Sequence, residues 1–358
     1  MQCSAEKNDF EESDEDIFVI DTLLTGLQNP WGIEFLNEKE VLITERSGIL
    51  SLYNMESEEK IILQNLPSNL TEVGQGGLLD IKKHPEYESN GWLYFTYAAQ
   101  KSGGYVTELT RARLSGNQLT DSELLFSANN PLNAGQHFGS RITFDFDGYL
   151  YFTIGDRGRK HDAQDLSNHS GTVIRLNDDG SIPADNPFVG EENKKDEIWS
   201  YGHRNQQGMI THPVTGKIWT HEHGPRGGDE VNIIEKGVNY GWPLVTFGVN
   251  YNGTPVGDGD TTLPGIPRPV LHWTPSIAPC GMAFVHNSKF EQWNGSILSG
   301  ALAGQHLNRI EINGENVINE ERLMNGFARF RDIEQGPDGY IYIVTESPGL
   351  FIRLRPSS

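Results

Sequence analysis

The chain repeats one short unit six times, and this repetition restricts its fold more than any other feature. In each copy an apolar, alternating strand is followed by a turn with Pro, Asp or Gly, then by a second strand ending in Thr, Ser or a charged residue. The copies begin at Trp31, Leu78, Arg141, Gln207, Gly281 and Arg331. Each copy is too short to bury its own apolar face, so the copies must stack to form a core.

Stacking of these units predicts an all-β fold, specifically a six-bladed β-propeller. Blades of about four strands around a central axis suit six units in a chain of 358 residues. We expect the strand at 17–24 to complete the blade that contains FIRLR at 351–355, because closure removes exposed sheet edges. Two β-sandwich domains are the alternative, but no linker or change of composition divides the chain. The long segments 159–197 and 239–269 are interpreted as inserts.

The N-terminal residues differ in character from the rest of the chain. Residues 1–16 form an acidic tether before the propeller domain, which we place at 17–358. Cys3 followed by polar and acidic residues is typical of a bacterial lipoprotein whose signal peptide has been removed, with the cysteine as the acylation point. We therefore expect an exported protein, periplasmic or lipid-anchored at the cell envelope. The alternative is a free thiol at the terminus.

Charge and cysteine content exclude several classes of protein. The formal net charge is −21, and no basic run interrupts it, so nucleic acid is not an expected partner. The two cysteines, Cys3 and Cys280, support neither a disulfide framework nor a zinc site.

Polar residues at the strand ends are the candidate site, because inner strands of a propeller end at one mouth of its central channel. They are Gln75, His137, Asp156, Arg204, Asn205, His223, Arg329 and Arg331. Three arginines and an asparagine in an acidic protein indicate a planar polyanion, since guanidinium groups bind carboxylates bidentately. His137 with Asp156 in reach is a candidate general base. A lone histidine is more often structural, but this one lies in a Gly-flanked segment at a strand start.

A second set of polar residues lies in HEHGPRGGDEVNIIEKGVNYGWP, at 221–243. A Gly-Pro turn with exposed carbonyls, Asp229, Glu230 and a return through Asn239 and Tyr240 offer the oxygen ligands that calcium prefers. The HEH sequence is not HExxH, so a zinc protease is unsupported. A solvated acidic loop is the alternative interpretation.

Seven motifs, taken in order, resemble the glucose/sorbosone dehydrogenase family, and particularly its aldose sugar dehydrogenase branch. The motifs are GQGG, QHFGSR, GDRGR, YGHRNQQG, EHGPRGGDE, GVNYGWP and RFRD, and the resemblance spans about 29–355. The family comprises soluble pyrroloquinoline quinone (PQQ) dehydrogenases with a six-bladed propeller. The resemblance implies that His137 is the base that takes the anomeric hydroxyl proton while hydride passes to the quinone. Asp156 corresponds to its supporting acid.

The resemblance also implies two cofactors, PQQ and Ca²⁺. The positions that correspond to PQQ contacts are Gln75, Arg204, Asn205, His223, Arg329 and Arg331, although glucose dehydrogenases carry Gln where this chain has His223. The carbonyls of Gly224 and Pro225 correspond to ligands of the calcium that polarises the cofactor. Glu230 and Tyr240 resemble ligands of a further structural calcium.

One position departs from the family pattern. Soluble glucose dehydrogenases carry a cofactor-binding lysine in the segment SGALAGQHLNR, where this chain has Ala303. A cofactor carboxylate near it loses a charge partner, unless Gln305 or His306 takes over that contact.

Together these features predict a calcium- and PQQ-dependent enzyme that oxidises aldose sugars at C1 to lactones and passes electrons to an external acceptor. A sugar-binding or partner-binding propeller without turnover is one alternative, suggested by Ala303, and a calcium-dependent lactonase is another. No GxGxxG follows a strand, which disfavours a nicotinamide or flavin enzyme. The family includes monomers and homodimers, so either state is compatible with the chain.

Overall fold

The computed structural model describes residues 17–357, which form six four-stranded antiparallel sheets. The predicted all-β, six-bladed β-propeller is confirmed. Residues 1–16, including Cys3, lie outside the described residues. In the described part of the chain, no helix has the length and apolar character needed to cross a membrane.

The first three blades follow one another along the chain. Blade 1 consists of β2 (Pro30–Phe35), β3 (Glu40–Glu45), β4 (Ile49–Asn54) and β5 (Glu59–Ile62). Blade 2 consists of β6 (Leu78–Lys83), β7 (Trp92–Lys101), β8 (Gly104–Ser115) and β9 (Gln118–Ser127), with a short helix, α1 (Tyr87–Asn90), between its first two strands. Blade 3 consists of β10 (Ile142–Phe144), β11 (Leu150–Ile154), β12 (Thr172–Leu176) and β13 (Ile198–Tyr201).

The remaining three blades complete the ring. Blade 4 consists of β14 (Gln206–Thr211), β15 (Ile218–Glu222), β16 (Asp229–Ile234) and β17 (Leu271–Trp273). Blade 5 consists of β18 (Pro279–Phe284), β19 (Ser296–Ala301), β20 (Leu307–Asn313) and β21 (Asn316–Leu323). Blade 6 consists of β22 (Arg329–Gln335), β23 (Ile341–Ser347), β24 (Leu350–Pro356) and, from the other end of the chain, β1 (Phe18–Thr25). Short 3₁₀ helices occur at Lys160–Gln164 and Glu291–Trp293.

The six sequence repeats coincide with the first two strands of the six blades. Strands β11, β15 and β19 are buried along their whole length, because each lies between two strands and two neighbouring blades. The first strands of successive blades contact one another in a closed ring. The core therefore lies between the blades, around the axis.

The ring is closed by the pairing of β1 with β24, as the sequence predicts. Asp21 of β1 accepts hydrogen bonds from Arg355 at 2.5 Å and from Arg353 at 2.9 Å. The hydrogen bond from Arg355 is the main reason that the pKa of Asp21 falls to about 2. Both ends of the described chain are thus held in one sheet, in which β1 is the outermost strand.

Five of the six inner strands carry a β-bulge near the channel. The pairing register shifts around Trp31, Leu79, Gln207, Gly281 and Arg331. A bulge places an extra residue on one strand and redirects its side chain. In this protein the bulges direct Trp31, Gln207 and Arg331 toward the axis, where all three line a cavity.

A buried cluster around Arg141 fills the middle of the channel. The Arg141 guanidinium lies 3.2 Å from Asp80 and 2.8 Å from Asp332, and it donates to the carbonyls of Gln207 and Arg331 at 2.8 Å each. It also packs 4.0 Å from the Trp31 ring centre and 3.7 Å from the Cys280 sulfur. We call Asp80, Arg141 and Asp332, with these partners, the Arg141 cluster. It connects all six blades at the axis.

Candidate active site

A cavity of about 270 Å³ lies at one mouth of the channel, on the side of the Arg141 cluster lined by Trp31 and Arg331. Of the sequence-predicted residues, the structure brings five to this cavity. They are Gln75, Asn205, His223, Arg329 and Arg331. A second cavity, of about 310 Å³, lies on the opposite side of the cluster and contains none of them.

Two arginines of blade 6 are fixed in the cavity wall by one acid. Glu346 accepts from Arg331 at 2.6 Å and from Arg329 at 2.9 Å. Burial opposes ionisation of Glu346, but the charges of Arg331 and then Arg329 lower its pKa to about 2. The Nε of Arg331 is buried and has no hydrogen-bond partner among residues 17–357. The arginine pair is therefore held in place and retains donor capacity for a bound anion.

A third guanidinium group, that of Arg46, was not predicted. Arg46 follows β3, lines the cavity and donates to the Gly74 carbonyl at 2.7 Å, while its Nε is buried without a partner. Burial and the charge of Arg331 lower its pKa. Three guanidinium groups face a single carboxylate, so the cavity is strongly positive in an acidic protein. The sequence could have identified Arg46, because Arg46 stands at the end of the second strand-like run of the first repeat, like the other candidate residues at strand ends.

Arg204 does not share this cavity, although the sequence places it with the other arginines. Its guanidinium donates to the His223 carbonyl at 3.1 Å and lies 5.4 Å from the Trp242 ring centre, beside a smaller cavity behind His223. Arg204 precedes β14, whereas Gln207, in the β14 bulge, does reach the main cavity.

His223 is a neutral group of the cavity wall. Its Nε2 lies 2.8 Å from the Pro279 carbonyl, and burial lowers its pKa well below the ordinary value. Since a carbonyl can only accept, Nε2 carries hydrogen and Nδ1 is left as an acceptor.

The predicted pair of His137 and Asp156 is brought together. His137 Nδ1 lies 2.6 Å from Asp156 Oδ1, and the Asp156 side chain is only 2% exposed. Burial raises the pKa of Asp156, but His137, the Gly158 amide and Arg204 outweigh it, and the net pKa is lowered. An ionised carboxylate only accepts, so Nδ1 carries the hydrogen. The free Nε2 is then the basic atom of the pair. His137 and Asp156 are not among the residues that line the main cavity, but the next two residues, Phe138 and Gly139, line it.

Three groups fix the backbone that carries His137. The His137 amide donates to the Gln75 side chain at 2.9 Å, and Arg157 donates to the Gln136 carbonyl at 2.9 Å. His137 has a φ of 54°, an uncommon conformation for a residue with a side chain. Gly155 is required beside it, because a Cβ there would lie 2.2 Å from the His137 carbonyl oxygen.

Asp229 organises the turn that contains Gly224 and Pro225. Its buried carboxylate accepts from the Gly224 amide at 2.8 Å and, in the connection between β17 and β18, from Ser276, Ile277 and Ala278. Within residues 17–357, no hydrogen bond ends on the carbonyl oxygens of Gly224 and Pro225. Both residues are buried, in contrast to the exposed carbonyls expected from the sequence, and their role as calcium ligands stays a prediction.

Glu230 and Tyr240 line one small cavity of about 10 Å³, together with Glu222. Burial, and then the charge of Glu222, raises the pKa of Glu230 to about 8. The Tyr240 hydroxyl is committed, since it donates to Ile233 and accepts from the Glu235 amide at 2.9 Å. Of the two oxygen atoms of Tyr240, the carbonyl oxygen is therefore the one that could bind a cation. In the described residues no cluster of three or more His, Cys, Asp and Glu side chains is arranged for a metal, so any cation here depends on backbone oxygens too.

Ala303 lines the main cavity, whereas Gln305 and His306 do not. His306 is buried and its Nδ1 lies 3.0 Å from the Gly304 carbonyl. The structure therefore gives no support to Gln305 or His306 as a replacement for the missing lysine, because neither lines the cavity. Arg46 supplies the additional positive charge from another blade.

Known proteins share this architecture. Residues 27–353 match the family described as Glucose / Sorbosone dehydrogenase. The aldose sugar dehydrogenase YliI of Escherichia coli (strain K12) is 39% identical over 345 residues, covering 94% of this chain and 92% of that protein. The apo structure of the soluble aldose sugar dehydrogenase from Escherichia coli superposes with a TM-score of 0.91 at 38% identity, over 95% of this chain and 100% of that one.

A structure determined with cofactor is also similar. The PQQ-bound aldose sugar dehydrogenase from Streptomyces coelicolor has a TM-score of 0.79 at 25% identity, over 96% of this chain and 99% of that one. The family match covers nearly the whole propeller, and the relatives are covered over nearly their full length. The chain belongs to the glucose/sorbosone dehydrogenase family.

Proposed function

We propose that the protein is a calcium- and PQQ-dependent dehydrogenase that oxidises aldose sugars at C1 to lactones and passes the electrons to an external acceptor. The observation that carries the proposal is the position of the His137–Asp156 pair beside a cavity with three guanidinium groups. The PQQ-bound Streptomyces structure supports the choice of cofactor.

The residues present fit PQQ, which carries three carboxylates. Arg329 and Arg331 are fixed by Glu346, and Arg46 and Arg331 each keep a buried Nε without a partner. Such unpaired donors are costly unless an acceptor is supplied, and carboxylates are the acceptors that match guanidinium groups best. Gln75 and Asn205 add neutral polar groups to the same wall.

Calcium fits the turn at Gly224 and Pro225, since a hard cation prefers oxygen ligands and both carbonyl oxygens are free of hydrogen bonds from the described residues. Glu230 and Tyr240 are the candidate ligands of a second calcium. Glu230 is buried beside Glu222, whose charge raises the pKa of Glu230, and this proximity of two acids supports a cation at the small cavity, which Arg204 also lines.

The chemistry divides between cofactor and protein. When bound, PQQ supplies the redox function by accepting hydride from C1. His137 Nε2 accepts the proton of the anomeric hydroxyl, and Asp156 stabilises the imidazolium that results. The protein thereby holds the sugar oxygen and the base in a fixed relation.

The test is a titration of metal-stripped protein with PQQ and calcium, followed by quinone absorbance, and then by aldoses with an artificial electron acceptor. Stoichiometric binding and sugar-dependent bleaching are expected. Absence of PQQ binding contradicts the proposal and favours a sugar-binding or partner-binding propeller. Lactone hydrolysis with calcium alone, without dye reduction, identifies a lactonase instead.

Export and a lipid anchor at Cys3 remain part of the proposal. Mass spectrometry of the protein from its native membranes distinguishes an acylated Cys3 from a free thiol.

A further inference from the structure

The insert at 239–269 brings one side chain to the back of the catalytic pair. The indole nitrogen of Trp242 donates to Asp156 Oδ2 at 2.8 Å, and Trp242 is only 8% exposed. The other carboxylate oxygen, Oδ1, lies 2.6 Å from His137 Nδ1 and 2.7 Å from the Gly158 amide. Asp156 is thus held between an indole and an imidazole.

Trp242 itself is held on several sides. Its amide donates to the Gly202 carbonyl at 2.8 Å, and its carbonyl accepts from the Gln164 side chain at 2.7 Å. Gln164 in turn accepts from Asn239 at 2.7 Å. The indole ring packs with Ala163 and Val256. The hydrogen bonds fix the Trp242 backbone, and a turn of the ring away from Asp156 would break its packing against Ala163 and Val256.

The contacts dictate which proton positions are possible. An indole N–H can only donate, so Trp242 occupies Oδ2 and leaves Oδ1 to His137. We propose that Trp242 is a positioning residue for the base: it fixes the Asp156 carboxylate, which keeps hydrogen on His137 Nδ1 and leaves Nε2 free to accept the proton of the sugar hydroxyl. This inference rests on the proposed function for the identity of the substrate, but the hydrogen-bond chain itself does not.

The variant that tests it is Trp242→Phe, which keeps an aromatic ring and removes the donor. Trp273→Phe is the matched control, because Trp273 is also buried and its indole donates to a carboxylate, Glu320, at 3.0 Å. We expect Trp242→Phe to lower kcat by about 10-fold or more while KM changes by less than about 3-fold. The control should retain activity close to that of the wild type.

The pH profile separates positioning from packing. Without the indole donor, the negative charge of Asp156 concentrates on Oδ1, which stabilises protonated His137. The acidic limb of kcat/KM should therefore move to higher pH by about 0.5 unit or more. In an Asp156→Asn background, Trp242→Phe should have little additional effect, because its action passes through Asp156. An equal loss in both backgrounds would overturn the proposal.

Nuclear magnetic resonance of the metal-free, PQQ-free protein gives a readout independent of activity. The ring-nitrogen shifts of His137, assigned with His137→Ala, should show the Nδ1–H tautomer in the wild type and a mixture in Trp242→Phe. If that variant does not fold, the wild-type Trp242 indole proton should still move as His137 titrates, and should not in Asp156→Asn. If the chemical shift of the Trp242 indole proton does not change as His137 titrates, the inference is wrong. If the tautomer of His137 changes in Trp242→Phe but the wild type oxidises no sugar, the inference holds and the proposed function is contradicted.

Discussion

Arg331 and Glu346 lie 2.6 Å apart in the cavity wall, on the first two strands of blade 6. The pKa of Glu346 is about 2 in the folded protein, against an ordinary value of 4.5. A lowered carboxyl pKa contributes stability that is complete above pH 4.5 and is lost as the pH falls through 2. The pair therefore links the binding cavity to the acid stability of the whole fold.

Glu346→Gln should accordingly lower the free energy of unfolding by roughly 3 kcal/mol at pH 7 and by only about 1 kcal/mol at pH 3. Urea denaturation across this pH range measures the difference. Glu56→Gln, which removes an exposed partner of Lys39, is the control and should have little effect at either pH. If the difference in free energy of unfolding between the wild type and Glu346→Gln is the same at pH 3 and pH 7, the lowered pKa assigned to Glu346 is wrong.

Arg329→Gln should weaken PQQ binding by about 10- to 100-fold, because one charge-assisted contact to a carboxylate is lost. Calorimetric titration with PQQ in the presence of calcium measures the affinity. Arg113→Gln is a matched control, since Arg113 has a similar exposure, 44% against 39% for Arg329, but is paired with Asp121 on blade 2. Equal affinities for Arg329→Gln and the wild type would mean that PQQ binds elsewhere.

His137→Ala should retain PQQ and calcium but lose sugar oxidation by a factor of about 10² to 10⁴, the usual contribution of a general base. Dye reduction with saturating aldose measures the rate, and quinone absorbance confirms that the cofactor is bound. His286→Ala, which removes an exposed histidine at the opposite mouth, should turn over normally. Unchanged turnover in His137→Ala refutes the role assigned to this residue.

Calcium should stabilise the protein more at pH 8 than at pH 5. Glu230 has a pKa of about 8 in the cation-free fold and 4.5 ordinarily, so its burial next to Glu222 costs stability that grows as the pH rises between these values. Calcium offsets this cost, and its effect on Tm should be largest where Glu230 is ionised. Glu230→Gln should lose most of the calcium-dependent rise in Tm, whereas Glu315→Gln on the surface should keep it. If calcium raises the Tm of Glu230→Gln as much as that of the wild type, Glu230 is not a calcium ligand.

Arg141→Met should destabilise the fold by about 3–5 kcal/mol, because Asp80 and Asp332 would be left buried without a counter-charge. Chemical denaturation measures the loss. Adding Asp80→Asn and Asp332→Asn should recover a substantial part of it, since the uncompensated charges are then removed. No recovery in the triple variant would show that the Arg141 cluster acts by packing alone.

The sequence predicts the inner half of each blade better than the outer half. Strands such as β11 and β19 are covered on both faces, so their apolar runs are long and uninterrupted. The outer strand β5, with the sequence EKII, is only four residues long and exposed along its whole length, so it carries no buried apolar run. The repeats therefore reveal the number of blades but not the four strands of each.

Site residues are predictable where they end an inner strand and hard to predict where an insert delivers them. His137 and Asp156 flank one hairpin, so their proximity follows from the sequence. Trp242 reaches Asp156 from a different blade, 86 positions away, and no local pattern encodes that contact. For Arg204 the position next to a strand end is predicted correctly, but its side chain lies at a different cavity, which the sequence pattern does not reveal.

The Arg141 cluster divides the channel, with the cavity of His223 and Arg331 on one side and the larger cavity on the other. The central channel of this propeller is consequently closed by the Arg141 cluster and does not connect the two cavities. In the proposed reaction, a sugar and an external electron acceptor would therefore both have to enter through the mouth that holds the His223 and Arg331 cavity. Sugar oxidation and electron transfer would then alternate, because the sugar product has to leave the site before the electron acceptor can bind.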